Sequence, residues 1–531
     1  MGSGVTGARD VDLLLDVNIV VDICQPRADA GRALLAIERC RQAGGRIWLY
    51  AGAVQSMQYV LADGLARDAE RADRPLSRTA ALRRSAALLA AFTKDKLWLA
   101  ALAGEGSVFS ALDPEDEQFK RAMVRFGTDR VRLLTRDKSL LNYCQQAISI
   151  EDFLARTCAP AALDFIDLAA QQDRLREGIE NGIHRVLHHG AYIMGPEVTE
   201  LEAQLAAYTG SKYCITVANG TDALLIAMMA LGIQRDDEII TTPFSFFATV
   251  EAIMLLGAKP IFVDIDPRTY NIDPSLIESA ITGRTKAIVP VSLYGQCAEF
   301  DSINKVAARH GLPVVEDAAQ SFGATYRGRQ SCALSTVACT SFYPAKPLGA
   351  YGDGGACFTD LDQIAESMRT LRDHGQRSRY QHTEIGLNSR LDTIQAAIVL
   401  SKLQILPAEI KAREVASVRY ARLLKSARVP FEAPFIAPTN TSVYAQYTLR
   451  TRERDALVRR FVARAIPVAI HYPTPLHLQP ALSHFRWRNG QFPQAESAAA
   501  EVFSLPMHPY LDEEMQIRVV QGLVPDGVTR P

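Results

Sequence analysis

Residues 337–349 have the sequence VACTSFYPAKPLG, an apolar run followed by a lysine that lies between two prolines. The run Val337–Phe342 predicts a buried β-strand, and Lys346 falls in the loop that leaves this strand. Because Pro347 disfavours helical geometry in the residue before it, Lys346 is predicted to lie in irregular backbone. Desolvation there lowers the pKa of an amine, which suits attack on a carbonyl group. Without supporting motifs, an ordinary surface lysine is the alternative.

A carboxylate ends the preceding predicted strand. In residues 313–320, PVVEDAAQ, Asp317 closes a short strand-like run. Ligand groups of open α/β sheets gather at the carboxyl ends of strands, so Asp317 is a candidate ligand contact. A carboxylate in this position can keep a pyridine nitrogen protonated, whereas capping of the next helix is the alternative role. Glu316 is predicted to point away and to be structural.

The chemistry of pyridoxal 5'-phosphate (PLP) requires a lysine, a carboxylate at the ring nitrogen, a phosphate site and a flat wall against the ring. Residues 219–224, NGTDAL, follow a predicted strand and open a helix, whose amides and dipole accept a phosphate. Phe246, within PFSFF at 243–247, can supply the wall. The alternative for residues 219–224 is a plain helix cap, and the alternative for Phe246 is packing in the core. Together the four segments predict a PLP site.

The order of elements around these motifs indicates an α/β fold. Apolar strands alternate with helices between residues 213 and 359, which predicts a mostly parallel sheet covered on both faces. Beyond it, two long helices at 391–405 and 407–426 and a tyrosine-rich strand at 443–450 predict an α+β domain. We therefore expect a PLP-binding large domain at 165–390 and a small C-terminal domain at 391–531. The predicted strands lie near Tyr213–Val217, Glu238–Thr242, Pro260–Asp264, Ala287–Ser292, Pro313–Glu316, Val337–Phe342 and Gly355–Thr359.

Residues 165–511 resemble the DegT/DnrJ/EryC1/StrS family of PLP-dependent sugar aminotransferases. The likeness is carried by Asn219–Leu224, Val291–Phe300, Glu316–Gly323, Ser341–Gly355 and Gly386–Ala397. The resemblance implies fold type I and a homodimer with active sites at the subunit interface. It also implies that Lys346 holds PLP as a Schiff base and that Asp317 contacts the pyridine nitrogen. The other implied cofactor contacts are Gln320 near the ring and its hydroxyl, Phe246 stacked on the ring, Gly220, Thr221 and Ser341 at the phosphate, and Asn388 contributed by the second subunit.

Within that family, the sequence of these segments most resembles enzymes that aminate C3 of a UDP-linked 2-acetamido-3-keto-glucuronic acid with L-glutamate as donor. This closer likeness implies that Arg390 contacts anionic groups of the substrate across the subunit interface, and that His471 and Tyr472 lie near the sugar. Some family members carry histidine in place of the lysine and catalyse dehydration, so Lys346 favours transamination. The open alternatives are amination of a 4-keto sugar nucleotide and a PLP-binding regulator without turnover.

Residues 1–157 resemble a PIN-like domain, an α/β fold of many metal-dependent ribonucleases, and residues 158–164 are expected to form the linker. The resemblance is carried by Asp16, Asp116 and Asp137, carboxylates that could hold Mg²⁺ or Mn²⁺ and activate water. Most active members carry a further glutamate where this chain has only Gln55. The sequence therefore leaves two functions open for this part, an active ribonuclease and a domain for RNA contact, assembly or regulation. A further alternative for the whole chain is a ribonuclease or RNA-binding protein whose PLP-binding part acts as a sensor.

Bulk composition sets limits on the whole chain. Its 531 residues carry a formal net charge of −1, which gives no overall attraction to nucleic acid or anionic membranes. The nine cysteines show no metal-binding spacing, and reduced thiols in a cytoplasmic protein are expected. No apolar run approaches the ~20 residues of a membrane helix, so we expect no membrane partner.

Overall fold

The computed structural model describes residues 163–524 and, towards the N-terminus, residues 12–15, 37, 47–50, 97–99, 131–134 and 147–148. The chain divides into two compact units, Met1–Ala162 and Leu163–Pro531. Leu163 already packs in the apolar core of the second unit. The predicted division of that unit near residue 390 stays a prediction.

The N-terminal unit contains a five-stranded parallel sheet in the order β3-β2-β1-β4-β5. Two of its strands, Asp12–Leu15 and Val131–Leu134, lie within apolar runs of the sequence. Asp16, Asp116 and Asp137 lie outside the described residues. The strands are β1 (Asp12–Leu15), β2 (Ile47–Tyr50), β3 (Leu97–Leu99), β4 (Val131–Leu134) and β5 (Ala147–Ile148).

The second unit alternates helices and strands in its first two hundred residues. Its helices are α1 (Leu168–His189), α2 (Pro196–Thr209), α3 (Gly220–Ala230), α4 (Ala248–Leu255), α5 (Pro274–Ile277), α6 (Phe300–Arg309), α7 (Asp362–Arg372), α8 (Thr393–Ser426), α9 (Arg454–Ala463), α10 (Pro493–Glu501) and α11 (Glu513–Leu523). Its strands are β6 (Tyr213–Val217), β7 (Glu238–Thr241), β8 (Lys259–Phe262), β9 (Thr285–Val289), β10 (Val315–Asp317), β11 (Thr325–Tyr326), β12 (Arg329–Gln330), β13 (Val337–Ser341), β14 (Gly355–Thr359), β15 (Gln376–Ser378), β16 (Gln381–His382), β17 (Tyr447–Arg450) and β18 (Val502–Leu505). All seven predicted strands of the sheet are therefore present.

Seven of these strands form one mixed sheet in the order β8-β7-β9-β10-β13-β14-β6. Two parallel bridges, Ile288 with Val314 and Val291 with Asp317, join the β8-β7-β9 part to the β10-β13-β14-β6 part. Only β14 runs antiparallel to its two neighbours within this sheet. The strands β6, β10 and β13 consequently end at the same edge, which brings the loops after them together.

Apolar side chains on alternate residues of the strands pack in separate cores on the two faces of the sheet. In β14, Cys357 packs on the face covered by α3 and α7, while Ala356 and Phe358 pack on the face covered by α2 and α8. Strands that are apolar on both faces have continuous apolar sequences, which is why they could be recognised from the sequence. The predicted architecture of this part is confirmed.

Two sequence-based element boundaries were wrong. The predicted helices at 391–405 and 407–426 are one helix, α8, that continues through Pro407. This proline is exposed, and buried leucines on both sides of it (Leu403, Leu406 and Leu424) keep the two halves packed. The predicted strand at 443–450 begins only at Tyr447, because Tyr444 has a left-handed backbone (φ 46°) that interrupts an extended chain.

Helix α8 belongs to two cores. Its N-terminal half packs with α2 against the sheet, through residues such as Ala396 and Leu400. Its C-terminal half packs with β17, β18 and α11 through Ala416 and Tyr420.

Among the residues that the structure describes, no helix is both long and apolar enough to cross a membrane.

Candidate active site

Lys346 lies in the loop between β13 and β14, at the sheet edge where β6 and β10 also end. The loop turns tightly, since the Lys346 amide donates to the Tyr343 carbonyl (2.8 Å) and the Ala350 amide to the Phe342 carbonyl (2.7 Å). Burial lowers the pKa of the Lys346 amine, and the negative charge of Asp317 opposes this shift. No hydrogen bond within the described residues occupies the amine, so it is available to a ligand.

Asp317 ends β10 and is buried in this site. One carboxylate oxygen accepts a hydrogen bond from the Thr249 hydroxyl (2.7 Å), and the other accepts one from the Ala319 amide (3.2 Å). Burial raises the pKa of the Asp317 carboxyl, while these two donors and the Lys346 charge act in the opposite direction. The carboxylate is held by neutral donors and faces a single cation, so it can pair with a second positive group.

Glu316 points to the other side of β10, as predicted. Its carboxylate accepts from the hydroxyls of Ser292 and Ser331 (3.1 and 2.8 Å) and from the Cys332 amide (3.0 Å). Burial raises its pKa to about 7, and these three donors oppose the shift. Because its carboxylate is bonded to three donors within the protein, Glu316 has a structural role.

Gln320 links the β10 loop to a distant segment of the chain. Its side-chain oxygen accepts from the Tyr294 amide (2.9 Å), and its nitrogen donates to the Tyr472 hydroxyl (3.0 Å). Burial raises the pKa of the Tyr472 hydroxyl, and the negative charge of Asp317 raises it further. Tyr472 is therefore a neutral phenol beside the carboxylate.

His471 lies on the same side of the site. Its Nδ1 is 3.1 Å from the Ser504 hydroxyl, and its carbonyl accepts from the Tyr294 hydroxyl. Burial, with the positive charge of Lys346, lowers the pKa of the imidazole to about 4. The ring is consequently uncharged at neutral pH, and it can serve as a hydrogen-bonding group there.

The start of helix α3 lies against the end of β13. Asn219 caps the helix through a hydrogen bond from the Asp222 amide (2.8 Å), while the first amides of a helix, here those of Gly220 and Thr221, have no intrahelical acceptor. A Cβ on Gly220 would lie 2.7 Å from the Ser341 Cβ, so only glycine fits this close approach. Free amides beside a serine hydroxyl form an anion site.

The three remaining predicted residues are exposed or form their hydrogen bonds elsewhere. Phe246 is 56% exposed, and its ring centroid is 6.1 Å from that of Tyr472. Asn388 is exposed and has no side-chain hydrogen bond within the described part of the chain. Arg390 donates to Asp373 (2.8 Å), and its Nε is buried without an acceptor among the described residues. Within the described residues, no hydrogen bond joins the side chains of Asn388 and Arg390 to the other predicted residues.

Two residues of this site were missed from the sequence. Thr249 holds Asp317, and Tyr294 contacts both Gln320 and His471. Thr249 begins an apolar helix and carries no local signal. Tyr294 stands within the family-like segment Val291–Phe300, and its left-handed backbone (φ 58°) orients the amide towards Gln320. Only the second residue could have been suspected from sequence.

Comparison with known proteins assigns the second unit. Residues 173–524 match the model of the DegT/DnrJ/EryC1/StrS aminotransferase family. The chain belongs to this family. One relative, the UDP-2-acetamido-2-deoxy-3-oxo-D-glucuronate aminotransferase of Pseudomonas aeruginosa, is 57% identical over 350 residues, which cover 66% of this chain and 96% of the relative.

Solved structures agree with this assignment. A DegT/DnrJ/EryC1/StrS aminotransferase from Brucella abortus is 42% identical, with a TM-score of 0.65 over 68% of this chain and 98% of its own. NtdA from Bacillus subtilis with bound cofactor PMP is 29% identical, with a TM-score of 0.64 over 77% and 96%. The prediction of a PLP-dependent aminotransferase of fold type I is confirmed.

The residues of this family member fit the cofactor. The Gly220–Ser341 cradle offers an anion site, Asp317 offers a buried carboxylate, and Lys346 offers an amine that no hydrogen bond from the described residues occupies. Within the described residues, no group of three or more histidine, cysteine or acidic side chains is placed to hold a metal ion. The predicted Mg²⁺ or Mn²⁺ ligands lie outside that part of the chain.

Proposed function

We propose that this aminotransferase converts UDP-2-acetamido-2-deoxy-3-oxo-glucuronic acid to the 3-amino sugar, with L-glutamate as donor, for polysaccharide or O-antigen precursor synthesis. The observation that carries the proposal is the joint presence of Lys346, Asp317, Gln320, His471 and Tyr472 at one sheet edge. The named activity of the 57% identical relative supports the choice of substrate.

The cofactor, when bound, supplies an electron-withdrawing ring that lets an amine pass between amino acid and sugar. Lys346 would hold it covalently and afterwards move the proton at the substrate carbon, for which a lowered pKa is an advantage. Asp317 would keep the ring nitrogen protonated, and Gln320, whose amide is oriented by Tyr472, would contact the ring. Phe246 would cover the ring. Gly220, Thr221 and Ser341 would hold the phosphate.

We further propose a homodimer in which each site is completed by the second chain. The exposed Asn388 would reach the phosphate, and Arg390, whose Nε has no acceptor within the described residues, would bind an anionic group of the sugar nucleotide. Neutral His471 and Tyr472 would contact the sugar.

The five described cysteines (Cys214, Cys297, Cys332, Cys339 and Cys357) are free and buried, which supports a reducing, cytoplasmic setting.

The position of amination separates the proposal from its nearest alternative. Purified full-length protein is incubated with L-glutamate and either the 3-keto or the matching 4-keto UDP sugar, and products are identified by NMR. We expect turnover of the 3-keto sugar at least about 100-fold faster, because a misplaced carbonyl lies outside the near-attack geometry. Amination of the 4-keto sugar alone would contradict the assignment to C3.

For the N-terminal unit we propose a PIN-like domain that contacts RNA through a Mg²⁺ or Mn²⁺ site at Asp16, Asp116 and Asp137. The parallel five-stranded sheet supports an α/β fold, and its strand β1 ends directly before Asp16. RNA cleavage by the full chain that requires Mn²⁺ and is lost in Asp16→Asn would support this metal site, because the substitution removes one of its charges. Mn²⁺-independent cleavage, or cleavage retained in Asp16→Asn, would sink this proposal.

A further inference from the structure

Helix α8 carries a row of buried and half-buried polar residues that the proposed reaction does not use. Gln395, Lys402 and Glu409 are spaced by seven residues, about two helical turns, and therefore lie on one face. Lys402 is only 1% exposed, and its amine has no hydrogen-bond acceptor among the described residues. Burial lowers the pKa of this amine to about 8, and the charge of Glu409 opposes the shift. A buried ammonium group without an acceptor needs an explanation.

The contact that Lys402 does make is with an aromatic ring. Its Nζ lies 4.0 Å from the ring centroid of Tyr351, the geometry of a cation–π interaction. The Tyr351 hydroxyl is itself buried without a partner within the described chain. The ring face, and not the hydroxyl, is therefore the group that meets the lysine.

Tyr351 belongs to the loop that carries Lys346. The Tyr351 amide donates to the Gln395 side-chain oxygen (2.9 Å), one step along the same helical face. A Cβ on Gly352 would lie 3.0 Å from the Gln395 amide nitrogen, so the loop lies directly on α8. The first half of the loop is fixed by its own backbone hydrogen bonds, and the second half is fixed by this helix.

Burial of a lysine without an acceptor lowers stability, because its desolvation is recovered only in part by the aromatic ring. Methionine of similar length would fill the same space without that cost. A residue that costs stability and fixes the loop of Lys346 has the character of a functional residue. We infer that Lys402 is a positioning residue, which holds the Lys346 loop against helix α8 through the Tyr351 ring; the inference rests on the proposed role of Lys346.

The test compares matched variants of the full-length protein. Lys402→Met removes the charge and keeps the length, and Lys402→Arg keeps the cation; Tyr351→Leu removes the ring, and Tyr351→Phe keeps it. Three quantities are measured: the Tm of the cofactor-free protein, the Kd for PLP by absorbance titration, and the maximal single-turnover rate constant and apparent Kd for L-glutamate in the half-reaction.

We expect Lys402→Met to have an unchanged or higher Tm, a Kd for PLP about tenfold weaker, and a maximal half-reaction rate constant about tenfold lower with the apparent Kd for L-glutamate within about twofold. Tyr351→Leu is expected to weaken PLP binding to the same extent, and the double variant no further, because both changes break one contact. Lys402→Arg and Tyr351→Phe should each recover most of the lost affinity.

Two results would overturn the inference. In the first, Lys402→Met binds PLP and turns over like the parent protein. In the second, its Tm falls and its losses follow the fraction of unfolded protein, which is the behaviour of a residue that serves only the fold. Lys346→Ala is run in parallel. If this variant still carries covalently fixed cofactor, the proposed function fails. If it carries none while Lys402→Met behaves like the parent protein, the proposed function stands and only the inference about Lys402 fails.

Discussion

Replacing Lys346 with alanine is expected to lower kcat for amine transfer from L-glutamate by at least about 10⁴-fold, the range for loss of a group that is both nucleophile and general base. The amine stands at the carboxyl end of the central sheet with a lowered pKa and no hydrogen bond within the described chain. Single-turnover absorbance with L-glutamate measures the loss directly, without the sugar substrate.

Lys346→Arg is the matched control, because arginine keeps the positive charge near Asp317 but cannot form an imine under these conditions. We expect Lys346→Arg to bind PLP noncovalently and to be as inactive as the alanine variant. Borohydride treatment followed by peptide mapping should fix the cofactor at Lys346 in the parent protein. Cofactor fixed at another lysine would contradict the assignment.

Asp317→Asn is expected to reduce kcat by about 10³-fold, comparable with the loss of one preorganised electrostatic contact in other enzymes. The asparagine keeps the shape and can still bond to Thr249, but it carries no charge to hold a ring nitrogen protonated. The change should appear in the single-turnover rate constant of the half-reaction and as a shifted absorbance maximum of the bound cofactor. Activity within tenfold of the parent would exclude the proposed role.

The neighbouring carboxylate provides the control. Glu316→Gln removes a charge one residue away, on the opposite side of the same strand, where three internal donors surround the carboxylate. We expect it to lower Tm while kcat of the folded protein stays within about threefold, since a buried hydrogen-bond network is broken away from the cofactor. Opposite outcomes for the two variants would separate the catalytic from the structural acid.

The sheet could be predicted from the sequence because its strands are apolar on both faces and each motif follows a strand end. The contact of Gln320 with Tyr472 could not, since it joins residues 152 apart that meet only when the small antiparallel pair β17–β18 packs beside the sheet. Thr249 was missed for the same reason: its role exists only because α4 lies beside β10. Local signals place each element, whereas tertiary packing decides which side chains meet.

Helix α8 was expected to break at Pro407, because proline removes one backbone donor and disfavours helix in the residue before it. The loss is tolerated where the proline faces solvent and both flanking halves are anchored. This is a case in which burial of many leucines outweighs a single local preference.

That uninterrupted helix has a consequence for how the second unit loses its structure. One rod of 34 residues supplies side chains to the core beneath the sheet and to the core around β17 and β18. If either core unfolds, helix α8 loses the packing of one of its halves. A helix without tertiary packing is only marginally stable in water. We therefore expect the two cores to share one cooperative unfolding transition, so that heating disorders both of them together.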